Sequence, residues 1–148
     1  MPDGRLALLD PDIQRELSGA SPSRLRRIAI EAAAMAIESI AEHPIFLDEA
    51  MTDLRRGVID PTQANLVSTL AAELDDRYLA LHDVSPSRAA TNEWQEAFRL
   101  ARAASALAYA FSPQPGTAAS ESVYEALASL DEDVEGVLAL VRSTSQFW

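Results

Sequence analysis

The chain predicts an all-α fold: a single-domain antiparallel helical bundle of about five main helices plus a short N-terminal one, arranged around a buried central helix at residues 22–42. Three observations carry that reading. Apolar residues recur at steps of three and four along most of the 148 residues, the spacing of one helix face. No alternating apolar and polar run survives for five residues, so nothing reads as a strand. A cap residue followed by proline recurs at Asp10-Pro11, Ser21-Pro22, Asp60-Pro61 and Ser85-Pro86, which is how a helix starts. One domain is expected to span 1–148, with residues 1–9 as an N-terminal extension and 143–148 as a C-terminal tail.

Taken in order, Asp10-Pro11 opens a short helix with Ile13 and Leu17 on one face, ending at Gly19. Ser21-Pro22 opens the central helix, which Pro44 is expected to stop after His43. Between Ile28 and Ala41 its only charges are Glu31 and Glu38, seven residues apart, while Ile28, Ile30, Met35, Ile37 and Ile40 cover the rest of the circumference. A helix apolar nearly all round belongs inside a protein, and its uncharged run, residues 32–37, is far short of the roughly 18 residues a membrane span needs. Leu47, Met51 and Leu54 then step by four and three, and Gly57 is placed for a left-handed cap.

The next start, Asp60-Pro61-Thr62-Gln63, places glutamine where it can bond back to the aspartate backbone. Val67, Leu70, Leu74, Tyr78 and Leu81 follow in one stripe, with Glu73 and Asp76 facing outward. After Ser85-Pro86 comes a helix whose face is mostly small residues, Ala90, Trp94, Ala97, Phe98, Ala101, Ser105, Ala108 and Phe111, allowing a neighbour close approach. Residues 112–117, with two prolines and a glycine, form the clearest loop. Val123, Leu127, Leu130, Val134, Val137 and Val141 then step by three and four without interruption, which predicts one helix over 118–142 running through Gly136.

Composition narrows the function classes. There is no cysteine, so disulfides, thiolate metal sites and cysteine nucleophiles are excluded. All 12 basic residues are arginine, which removes Schiff-base and phosphate-loop lysines. The net charge of −11 repels a phosphate backbone and an anionic lipid surface, so neither nucleic acid nor membrane is an expected partner. A basic protein would be attracted and steered. Asp3 and Asp10 bracket an apolar patch, residues 6–9, too short for a signal-peptide core, which points to the cytoplasm.

Few residues suggest chemistry. Asp131, Asp133, Glu135 and Gly136 match the first half of a calcium loop, but its twelfth position, which must supply a carboxylate, is Arg142; a solvated acidic helix face is the better reading. No histidine stands three residues after a glutamate, as a di-metal bundle site requires, so no metal or cofactor is expected. His43 and His82 sit at helix ends, where the dipole favours an imidazolium. Glu31 is expected to pair with Arg27, and Glu38 with Arg99 or Arg102. Arg24, Arg26 and Arg27 crowd the first turns of the central helix, against the dipole, and call for compensation from acidic neighbours or an anionic ligand. Gln146-Phe147-Trp148 is expected to fold back into a groove or meet a partner. No catalytic residue is identified.

At low resolution the stretches 26–40, 94–110 and Val123-Tyr124-Glu125-Ala126 are similar to those of small all-helical bacterial proteins of unknown function, some thought to be immunity proteins for secreted toxins. The resemblance implies binding in preference to catalysis. The leading expectation is a cytoplasmic module that engages a basic protein partner, of the immunity or neutralising type, through Asp48, Glu49, Asp53, Glu73, Asp76, Asp131, Asp133 and Glu135. The alternatives are a small-ligand sensor or enzyme with an intrabundle pocket near Glu31 and Glu38, and a homo-oligomeric module joined through the alanine-rich face of residues 86–111.

Overall fold

The computed structural model describes residues 10–84 and 88–144, with side chains for all of these except 82–84 and 88–93. Seven helices and no strand occur among the described residues: α1 Pro11–Ser18, α2 Pro22–Glu38, α3 Ile45–Arg55, α4 Pro61–Val84, α5 Arg88–Ala110, α6 Pro115–Ser129 and α7 Val134–Thr144. The start signals act as capping chemistry requires. Asp10 accepts the Ile13 N–H at 3.0 Å and Ser21 accepts that of Arg24 at 3.2 Å, while Asp60 accepts the Thr62 N–H at 2.9 Å. Gln63 does not bond back to the cap; its amide reaches Asp53 at 3.2 Å and ties α4 to the preceding helix.

α2, α5 and α6 pack against one another along a seam of small residues. Ile28, Ile37, Leu107, Val123 and Leu127 are fully buried there, among Ala29, Ala33, Ala36, Ala103, Ala106 and Ala126. Two hydroxyls cross the α5–α6 contact, from Ser122 to the Ala106 carbonyl at 2.7 Å and from Ser129 to that of Arg99 at 2.9 Å. Those pairings run in opposite directions along the chain, so α5 and α6 are antiparallel. Of the alanine-rich face expected to join copies of the chain, Ala97, Ala101, Ser105 and Phe111 are buried within the molecule and Phe98 and Ala108 are half-buried. Ser85-Pro86 and the Ala90 side chain lie outside what is described.

Around this seam α3 covers α2 through Leu47, Met51 and Leu54, α7 covers it through Val137 and Val141, and α1 closes on α6 and α7 through Ile13 and Leu17. α4 packs chiefly along α5. Its Val67 enters the main core, whereas Ala71 and Leu74 form a second cluster with Ala101 and Ala104. Beyond it Tyr78 meets Trp94 and Phe98 at ring-centroid distances of 5.9 and 5.0 Å, tilted arrangements that the ring quadrupoles favour.

Four boundaries differ from the sequence reading. The loop expected over 112–117 ends at Gln114, because Pro115 opens α6 as its first residue. α2 ends at Glu38, not Glu42. The Ser39 hydroxyl turns onto the Ala36 carbonyl at 2.6 Å and Ile40 N–H tightens onto Ile37 at 3.0 Å, so the helix unwinds before the proline is reached. The helix expected over 118–142 is two, α6 and α7, because Asp131 and Glu132 take φ of 54° and 61°. The short polar side chain of Asp131 tolerates that left-handed region. Asp133 then caps α7 by accepting the Gly136 N–H at 3.0 Å; a Cβ on Gly136 would collide with that carboxylate. Asp131 and Asp133 therefore form a turn and a cap, and only Glu135 lies on an exposed helix face. Finally α7 runs through Thr144, so residues 143 and 144 are helix and not tail. Residues 1–9 and Phe147-Trp148 lie outside the described residues.

Candidate functional site

The basic start of α2 is neutralised within the chain, and mostly by helix ends. Arg24 donates to Glu16 at 3.2 Å and to the Val141 carbonyl, near the end of α7, at 3.3 Å. Arg26 reaches across to the end of α5, donating to the carbonyls of Ala110, Ser112 and Pro113. The last carbonyls of a helix have no partners of their own and carry the negative end of its dipole. Arginines at one helix start thus serve as caps for two others. Glu16 lies between Arg24 and Arg142. The hydrogen bond from Arg24 lowers its pKa, burial works the other way, and Arg142 adds to the lowering.

Glu31 does pair with Arg27 but more closely with Arg55, whereas Glu38 does not pair as expected. Arg27 approaches Glu31 only to 4.0 Å, whereas Arg55 from α3 holds both of its oxygens, Nε to Oε2 at 3.0 Å and Nη2 to Oε1 at 2.9 Å. Such a planar fork is what arginine offers a carboxylate. That bond raises the pKa of Arg55 further, against some burial. Arg99 and Arg102 are turned to other acids, so Glu38 has no ion-pair partner among the described residues. Arg99 holds Asp131 at 2.6 Å. Arg102 donates through Nη1 to both oxygens of Glu125 at 2.9 Å and through Nη2 to Asp75, with its guanidinium 5.8 Å from the Phe98 ring centre. Burial works against the charge on Arg102, but Glu125 and Asp75 outweigh it and its pKa is raised.

That triad joins α4, α5 and α6 and runs from Glu125, 4% exposed, to Asp75, 37% exposed. It was readable in principle. Arg102 is a lone charge among alanines at 101, 103 and 104, and a lone charge at such a place is there with partners.

Glu31 and Glu38 do line one depression, together with Met35, Ser39, Gly136, Ala139, Leu140 and Ser143. It lies between α2 and α7, holds about 650 Å³ and is open to solvent, so it is a surface groove and not a chamber inside the bundle. Met35, Ala139 and Leu140 supply apolar surface, Glu31 is occupied by Arg55, and the carboxylate of Glu38 is exposed. The Ser39 and Ser143 hydroxyls are spent on the Ala36 and Leu140 carbonyls. The groove exists because α6 and α7 separate at Asp131, which could not be anticipated from a periodicity that runs through the break.

The acids expected to form a binding face divide in two. Asp48 contacts His43, Asp53 accepts from Gln63, Asp131 is held by Arg99 and Asp133 caps α7. Glu49, Glu73, Asp76 and Glu135 are exposed and make no ion pair among the described residues. They are spread over α3, α4 and α7. No group of three acidic or histidine side chains among the described residues is placed to hold a metal ion, and no described helix is long and apolar enough to cross a membrane. The side chain of His82 lies outside the described set. Comparison with protein families, with curated proteins and with solved structures finds no match to the chain.

Proposed function

We propose that the chain is a protein-binding module that receives a basic side chain of its partner in the groove between α2 and α7. The observation that carries this reading is the exposed, unpaired carboxylate of Glu38 beside the apolar surface of Met35, Ala139 and Leu140. An arginine or lysine side chain has that form, an aliphatic stem ending in a cation. Glu31, held by Arg55, stiffens the adjoining wall. The net charge of −11 and the free acids Glu49, Glu73, Asp76 and Glu135 would steer a basic partner and set the salt dependence of its encounter. A neutralising protein for a basic toxin, of the kind the resemblance suggests, is one member of this class.

The test is affinity capture from lysate of the source organism at rising salt, comparing the native protein with Glu38→Arg. A basic protein retained in one-to-one amount by the first and lost by the second supports the reading. Equal capture by both removes the groove from the interface. A small organic amine is the second reading, since the groove volume is within the range of ligand pockets; an amine that raises the melting temperature of the native protein but not of Glu38→Gln would favour it.

A further inference from the structure

The turn that links α2 to α3 is held by one imidazole, and both of its ring nitrogens face acceptors. His43 Nδ1 lies 2.7 Å from the Ile40 carbonyl oxygen, and Nε2 lies 3.0 and 3.1 Å from the two oxygens of Asp48 in the first turns of α3. A carbonyl can only accept, and an ionised carboxylate can only accept. A neutral imidazole carries a single N–H and can satisfy one of these contacts; the geometry as a whole calls for the doubly protonated ring. The ring is largely enclosed, with its side chain 14% exposed, so water is poorly placed to reach its nitrogens, while the Asp48 side chain is 46% exposed. The other charged group acting on it is Glu38 at the end of α2, also an acid.

We propose that His43 is a protonation latch: the imidazolium clamps residues 39–44 onto the start of α3, and its deprotonation releases one of the two clamps and loosens the turn. Burial disfavours the charge, but the Ile40 carbonyl, Asp48 and Glu38 together outweigh it and raise the pKa above the ordinary 6.5. The sign follows from linkage. A group whose pKa is raised by folding contributes stability that is complete below its unfolded pKa and disappears as pH climbs through the folded value. The latch is therefore closed below the ordinary imidazole value and opens as pH climbs through the raised one. It requires nothing of the groove reading and can stand if that reading fails.

The experiment is an NMR titration of the imidazole signals of the native protein, assigned by comparison with His43→Gln, together with amide hydrogen exchange of residues 40–48 on either side of the midpoint. The His43 midpoint should lie above 6.5, and Asp48→Asn should shift it downward. Protection of the turn, corrected for intrinsic exchange, should fall about tenfold across the native titration, the scale of one hydrogen bond to a charged group. In His43→Gln it should be low at every pH. The proposal is overturned by a native midpoint at or below 6.5, or by turn protection that does not change while the ring titrates. Because both readouts come from the native protein, they decide the matter even where a variant fails to fold.

Discussion

Where α2, α5 and α6 meet, the helices approach over alanines, and the few large side chains between them, Ile28, Ile37, Leu107 and Leu127, are wholly buried. Farther toward the start of α5, its contact with α4 is built instead from Tyr78, Trp94 and Phe98, none of them fully buried, above the ion triad of Arg102, Asp75 and Glu125. The first region owes its stability to area removed from water at close quarters, the second to geometry between polar and aromatic groups. Close packing has no spare room, so each methylene counts. Paired charges lose most when one partner is taken away. The two regions should therefore fail under different substitutions.

The largest effect is expected in the seam. Ile37→Ala should lower the unfolding free energy by about 2–5 kcal/mol, read from urea denaturation, because rigid alanine neighbours cannot collapse into the void. A loss near 1 kcal/mol would mean that the seam is looser than its burial implies. Next comes the triad. Glu125→Ala leaves the Arg102 guanidinium with a weaker partner set and should cost about 3 kcal/mol, whereas Glu125→Leu combined with Arg102→Met should recover most of it. If the double variant is as unstable as the single one, the charges matter for more than each other.

The turn between α6 and α7 sharpens the comparison because it borders the seam without belonging to it. Asp133→Ala removes a cap and should cost about 1 kcal/mol. Gly136→Ala displaces the same carboxylate but gains about 1 kcal/mol of helix propensity, so its net effect should be close to zero in the same denaturation assay. The smallest change is predicted for Leu79→Ser, at a site on α4 that is 51% exposed; it should stay within about 0.5 kcal/mol. A larger loss would show that this stretch of α4 is covered in solution.

Much of the helical order was legible because it is local chemistry. Pro11, Pro22 and Pro61 with their caps stand at helix starts in the structure, and Glu73 and Asp76 face solvent as their positions in the stripe require. The site was less legible because it depends on contacts between distant segments. Arg55 lies 24 residues from Glu31, and no spacing rule selects it over Arg27. The division of the last helix was hidden by arithmetic: Leu127, Leu130 and Val134 keep steps of three and four across a turn that happens to restore the phase. Ser39 was hidden too, since a serine inside an apolar run reads as tolerated until its hydroxyl is seen to take the Ala36 carbonyl.

The position of α2 has a consequence for how the molecule is made. Its coat is supplied almost entirely by later segments, α3, α5, α6 and α7, and Arg26 waits for carbonyls 84 to 87 residues downstream. On a ribosome emitting about 5–20 residues per second, this isoleucine- and alanine-rich rod emerges early and stays uncovered for several seconds. Helical proteins ordinarily fold fast because their contacts are local; here most contacts of the buried helix are with the distant α5, α6 and α7. The acidic residues scattered through the chain would then protect a nascent polypeptide from its own kind before they serve any partner.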